Sequence, residues 1–111
     1  MKKYLIIIPT YNEKDNISLI LTKIINLSTN FNILVVDDNS PDGTSEIVES
    51  FMLSNSNINI VKRQSKKGLG SAYIEGFRWA LNNNYDYVMQ IDADLSHNPD
   101  DLIRLKNQST D

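Results

Sequence analysis

An alternation constrains this chain more than any other feature. Short apolar runs, "YLIII" (4–8), "ILVV" (33–36), "INIV" (58–61) and "YVMQI" (87–91), are separated by longer stretches whose apolar residues recur at helical spacing. Runs this short with no polar face are expected of strands buried on both sides, as in a parallel sheet between helices. Between the runs, Ile17, Ile20, Leu21, Ile24 and Ile25 mark one amphipathic helix over 13–27. Ile47, Val48, Phe51 and Met52 mark a second helix, and Ala72, Tyr73, Phe77, Ala80 and Leu81 a third. Asn98-Pro99-Asp100-Asp101 carries the signature of a fourth helix start: a cap, a proline at the first helical position, and acids at the positive end of the dipole. The order β-α-β-α-β-α-β-α predicts an α/β fold, a three-layer sandwich around a mostly parallel sheet.

The bulk properties narrow the function classes. At 111 residues the chain is about one domain's worth, with 41% hydrophobic and 23% charged residues, a globular balance. Such a chain buries ~60–70% of its unfolded surface, enough for one modest core. A net charge of -3 argues against nucleic acid as a partner. With no cysteine, neither a disulfide framework nor a thiolate metal site can form. The opening "MKKYLIIIPTYNE" is not read as a signal peptide, because its apolar stretch is too short and Pro9, Asn12 and Glu13 end it abruptly. Nothing approaches the ~20 apolar residues of a membrane span. The closing "LIRLKNQSTD" leaves one helix after the fourth strand, so residues 1–111 read as the N-terminal part of a larger domain.

Ligands of open α/β sheets bind beyond the carboxyl ends of the strands, near the switch in strand order. The segments there are "PTYNE", "DDNSPDG", "KRQSKKGLG" and "DADLSH": acids at three ends, cations at the other. In the first, Thr10 and Glu13 fit a helix capping box, with Tyr11 a surface aromatic; equally, Tyr11 offers a flat face to a base and Glu13 accepts hydrogen bonds from its edge. In the second, Asp42-Gly43 is a turn signal, while Asp37 and Asp38 point to opposite faces, so at most one of them reaches a given ligand. The third reads either as a solvated basic loop or as an anion site at the helix start Gly68-Leu69-Gly70. "GLGSAY" fails the dinucleotide fingerprint: Tyr73 stands where the third glycine belongs, and the motif follows the third strand rather than the first.

The fourth end carries the most chemistry. Asp92 and Asp94 share a face of an extended backbone. Two carboxylates that close repel unless a cation sits between them. Mg²⁺ takes one or two carboxylates together with substrate phosphates, so the pair reads as a handle for a metal–diphosphate. Asp-x-Asp alone is a weak signal, strengthened here by its place after an apolar strand and beside other acid-bearing ends. His97, the single histidine, reads as a cap or hydrogen-bonding residue, and Tyr73 and Trp79 as helix packing.

The stretches "PTYNEKDNI", "VVDDNSPDGT", "KKGLGSAYIEGF" and "DADLSHNP", in this order, resemble the inverting nucleotide-sugar glycosyltransferases of family 2 with a GT-A fold. Within that family they look most like the polyprenyl-phosphate (dolichol-phosphate) mannosyltransferases. The resemblance covers nearly the whole chain but only about the first half of the family's catalytic domain, its nucleotide-sugar-binding part. It implies that Pro9, Tyr11 and Glu13 hold the donor nucleoside, with Val36 and Asp38 closing around base and ribose. It also implies that Asp92, Ala93 and Asp94 bind the sugar diphosphate with Mg²⁺ or Mn²⁺, Asp92 and Asp94 being the metal-binding and catalytic pair. Ser96 stands where some relatives supply a glutamine to the metal. The implied reaction moves mannose from GDP-mannose to a polyprenyl (dolichyl) phosphate with inversion, at the cytoplasmic face of a membrane. Membrane contact would come through the lipid acceptor or through further C-terminal sequence. The basic residues that the family uses on acceptor and diphosphate lie beyond Asp111. Three alternatives stay open: a related enzyme using UDP-glucose or another sugar nucleotide, a nucleotide- and metal-binding fragment without turnover, and a dinucleotide-dependent redox enzyme.

Overall fold

The computed structural model describes residues 3–27, 31–64 and 68–93. Asp94, Ser96, His97 and the helix start expected at Asn98 lie outside the described residues. The elements run β1 (Tyr4–Thr10), α1 (Lys14–Leu27), β2 (Phe31–Asp37), α2 (Thr44–Met52), β3 (Ile58–Lys62), α3 (Leu69–Asn82) and β4 (Tyr87–Gln90). This is the expected alternation. β1 and β2 extend past their apolar cores to Thr10 and Asp37, because the ladder needs only backbone groups and continues while the two strands stay in register, up to the pair Thr10–Asp37.

The sheet is parallel throughout, in the order β3-β2-β1-β4. The chain steps outward from β1 to β3, then α3 carries it back over the sheet to the far side of β1. A right-handed crossover in the reverse direction places the helix on the opposite face. The core accordingly has two layers. Tyr4, Ile6, Ile8, Ile33 and Val35 meet Ile17, Ile20, Leu21, Ile24 and Val48 of α1 and α2 on one face. Leu5, Ile7, Leu34 and Val36 meet Ala72 and Ala80 of α3 on the other. Strand parity sorts them: even-numbered residues of β1 face α1 and α2, odd-numbered residues face α3.

α3 differs from its expected face. Its buried stripe is Ala72, Gly76 and Ala80, whereas Phe77 and Leu81 are exposed, Leu81 at 79%. Small residues prevail because the helix rides close on the sheet: a Cβ at Gly76 would lie 2.7 Å from Ile7 Cδ1. Trp79 packs beside this layer and stacks on Tyr85 at 5.8 Å, the packing role expected for it.

Pro9 sits inside β1 at no cost to the ladder. β4 pairs with β1 only as far as Ile7, with a final bond from Ile91 N to the Ile7 carbonyl at 3.1 Å. The edge of β1 that faces β4 is therefore already unpaired at Pro9, where proline has no N–H to offer. There β1 and β4 part, and a cleft opens.

Candidate functional site

The cleft, about 270 Å³, lies at the carboxyl ends of the strands where the strand order reverses. Pro9, Tyr11, Glu13, Asp38, Asp92 and Ala93 all line it, joined by Thr10 and by Gly68, Leu69 and Ala72 from the start of α3. So six residues singled out in the sequence, from three separate strand ends, come together. Val36 does not join them: it is fully buried in the α3-side layer with Ala72, and its side chain has no surface to offer a ligand.

The two loops at the mouth are tied by hydrogen bonds that take the place of the capping box, one of the two readings of Thr10 and Glu13. Thr10 ends β1 and donates from Oγ1 to Asp37 Oδ1 at 2.6 Å instead of capping a helix. α1 begins one residue after Glu13, whose carbonyl accepts from Asn16 N and Ile17 N. The amides entering the helix are capped from the neighbouring loop: Asn12 N by Ser40 Oγ at 2.9 Å, Glu13 N by Thr44 Oγ1 at 3.1 Å, and Lys14 N by Asp42 Oδ2 at 3.1 Å. Asn12 and Asn39 take left-handed backbone (φ 57 and 60), which asparagine tolerates better than other residues with a side chain. Gly43, at φ 94, closes the turn into α2. "DDNSPDGT" is thus largely a brace that holds Tyr11 and Glu13 over the cleft.

Asp37 and Asp38 part as parity requires. Asp37, 1% exposed, turns to the α1 side and accepts from Thr10 Oγ1, Ser40 N and Ser40 Oγ, a structural role. Asp38 turns to the α3 side and lines the cleft. Burial of Asp42 opposes its ionisation, but hydrogen bonds from the Thr44 hydroxyl and from the Lys14 and Thr44 amides outweigh this and hold its carboxyl below the ordinary 3.8.

Sequence reasoning missed Arg63. Instead of joining a solvated basic loop it is 8% exposed and grips Asp38 with both arms of its guanidinium, Nε to Oδ1 and Nη2 to Oδ2, the latter at 2.9 Å. Nη1 donates to Ser71 Oγ at 2.7 Å and Nη2 also to the Gly68 carbonyl at 3.3 Å. One side chain thereby joins the ends of β2 and β3 to the start of α3. Removing one partner of such a buried, bidentate pair costs about 3–5 kcal/mol, because the other charge is left stranded. The available signal was again parity: Arg63 falls two residues after Val61 of the α3-side layer and so faces the same way as Asp38. Lys62 turns outward to Glu49 at 3.1 Å. Tyr73 was missed too, since its hydroxyl donates to Asp92 Oδ1 at 2.7 Å while its ring packs on the α3-side core.

The carboxylates around the cleft are hard oxygen donors suited to Mg²⁺ or Mn²⁺. Among the described residues no three acids or histidines converge on one point, so they form no all-protein metal cage. Asp38 is gripped through both oxygens by Arg63, whereas Glu13 and Asp92 line the cleft as further carboxylate donors. One or two carboxylates completed by phosphate oxygens and water is the ordinary arrangement for such ions, and the donor set fits it.

Comparison with known proteins agrees with this architecture. The Glycosyl transferase family 2 profile matches residues 5–109. The polyprenol monophosphomannose synthase of Mycolicibacterium smegmatis is 43% identical over 105 residues, 94% of this chain and 40% of that protein. The undecaprenyl-phosphate mannosyltransferase of Micrococcus luteus is 43% identical over 103 residues, 93% of this chain and 42% of that protein. The chain therefore spans about two fifths of the length of these curated relatives. Among solved structures, the mannosyltransferase PcManGT from Pyrobaculum calidifontis, in complex with GDP-Man and Mn2+, superposes with a TM-score of 0.78 at 25% identity, over 91% of this chain and 30% of that one. S. aureus TarS 1-349 in complex with UDP gives 0.79 at 27% identity, over 95% and 31%. Sheet order, the cleft at the reversal and the span of the match agree: the chain belongs to glycosyl transferase family 2.

Proposed function

We propose that residues 1–111 form the nucleotide-sugar-binding part of a metal-dependent, inverting glycosyltransferase that moves mannose from GDP-mannose to a polyprenyl phosphate. The observation that carries this reading is the gathering of Tyr11, Glu13, Asp38 and Asp92 around one cleft at the sheet's switch point. The names of the two 43%-identical relatives support the sugar and the lipid acceptor, and the neighbour solved with GDP-Man and Mn2+ supports the donor and a divalent ion. In this reading Tyr11 and Glu13 contact the base, Pro9 borders it, Asp38 accepts from the ribose, and Asp92, Ala93 and Asp94 face the diphosphate. Asp92 and Asp94 hold Mg²⁺ or Mn²⁺. When bound, the ion neutralises charge on the departing nucleoside diphosphate. The chain's own part is positioning. Tyr11 and Glu13 are braced by the second loop, Asp38 is oriented by Arg63, and the glycosyl donor is presented at the open side of the cleft. A phosphate acceptor is already anionic near neutral pH and needs no strong base. No described helix is long and apolar enough to cross a membrane. Contact with a membrane through the lipid acceptor belongs to the same proposal, supported by the relatives' names.

A thermal-shift panel tests it. Ligand at 100 times its dissociation constant stabilises by ~2.7 kcal/mol. GDP with Mn²⁺ should raise the melting temperature of this chain, and chelation should abolish the shift. The neighbour bound to UDP supports a second reading, a uridine-nucleotide donor. A shift with UDP and none with GDP would favour it. A shift with NAD and with neither nucleotide diphosphate would refute both.

A further inference from the structure

The geometry points to Tyr73 as a positioning residue that sets how Asp92 meets the divalent ion, an inference that rests on the donor-binding reading of the cleft. Asp92 lies just past β4, where the strand has left the ladder and backbone pairing no longer holds the residue. One oxygen of its carboxylate is held from α3. Tyr73 follows the cleft-lining Ala72, packs its ring on the layer containing Leu5, Ile7 and Val36, and donates its hydroxyl to Asp92 Oδ1 at 2.7 Å. A hydrogen bond from a hydroxyl to an ionised carboxylate is among the stronger kinds, and here the donor is carried on a packed ring.

The phenol holds Oδ1 and so sets the plane in which the Asp92 carboxylate can meet a cation. The same helix start also carries Gly68 and Ser71, which accept from Arg63, the residue that orients Asp38. One end of α3 therefore steadies the acids on both the nucleoside and the diphosphate side of the cleft.

Tyr73→Phe removes the hydroxyl and keeps the ring. The 111-residue chain is titrated with Mn²⁺ at saturating GDP, free Mn²⁺ being followed by electron paramagnetic resonance, and GDP affinity is measured separately at saturating Mn²⁺. Loss of an outer-shell partner typically weakens metal binding about 10–100-fold. The half-saturating Mn²⁺ concentration should rise by that factor, while GDP affinity at saturating Mn²⁺ returns to the wild-type value. The melting temperature without ligand controls for folding. An unchanged Mn²⁺ requirement overturns the inference, as does a loss of GDP affinity that excess Mn²⁺ does not rescue, which is what a purely structural role would produce. If wild type itself shows no Mn²⁺-dependent GDP binding, the donor-binding reading fails and takes this inference with it. If only the variant departs from wild type in its Mn²⁺ requirement, both stand.

Discussion

Residues of one chemical type have separate fates here, decided by which way a strand delivers them. Asp37 is consumed by Thr10 and Ser40, Asp38 is gripped by Arg63, Asp42 caps α1 from a neighbouring loop, and Asp92 is steadied by Tyr73. Only Asp38 and Asp92 of these line the cleft. Asp42 carries a prediction at this scale. Its folded pKa is depressed, so it contributes stability that is present above the ordinary 3.8 and is lost as pH falls through the folded value. Asp42→Asn keeps one acceptor oxygen but removes the charge, and should lower stability by about 0.5 kcal/mol near neutral pH, the usual worth of a negative charge at a helix N-terminus. The gap between variant and wild type should close as pH drops below 3.8. Urea unfolding across that range checks this, and a gap independent of pH would show that the charge of Asp42 is not what matters.

Among the elements, α3 is the one whose sequence misleads. Periodicity marks it as a helix, yet its apolar residues Phe77 and Leu81 are exposed while Ala72, Gly76 and Ala80 face the sheet. Close approach selects small residues, and it is also what brings Tyr73 within reach of β4. The two glycines inside the helix therefore predict opposite outcomes. Gly76→Ala gains up to about 1 kcal/mol of helix propensity. It also forces a Cβ against Ile7, which is fully buried and hemmed in, and overpacking of this kind costs about 1–3 kcal/mol. The net change should be destabilising, and Ile7→Val, which removes the nearest atom, should recover part of it. Gly70→Ala meets nothing within 4 Å and should stabilise by about 0.5 kcal/mol. Denaturant melts of the three variants decide; stabilisation by both alanines would mean that α3 stands off the sheet.

On the scale of the whole molecule, β1 is the spine. It pairs with β2 from Tyr4 to Thr10 and with β4 from Tyr4 to Ile7, with helices over both faces. Its amides should be the last to exchange with solvent and those of the four-residue β4 among the first of the strands. Equal protection of β1 and β4 in hydrogen exchange would contradict that hierarchy. Local periodicity and the rules of chain connection already specify the alternation of elements, the parallel sheet and the polar strand ends. Parity even separated Asp37 from Asp38. It did not reveal that Thr10 ends a strand instead of capping a helix, that Val36 is sealed in the core, or that Arg63 and Tyr73 donate hydrogen bonds to two of the cleft's acids. Those facts depend on contacts between residues 19 to 27 positions apart, Tyr73 with Asp92, Arg63 with Asp38 and Thr10 with Asp37. A side chain's partner across such a gap is set by the spacing of helix and sheet, a quantity that only close packing of the whole chain supplies.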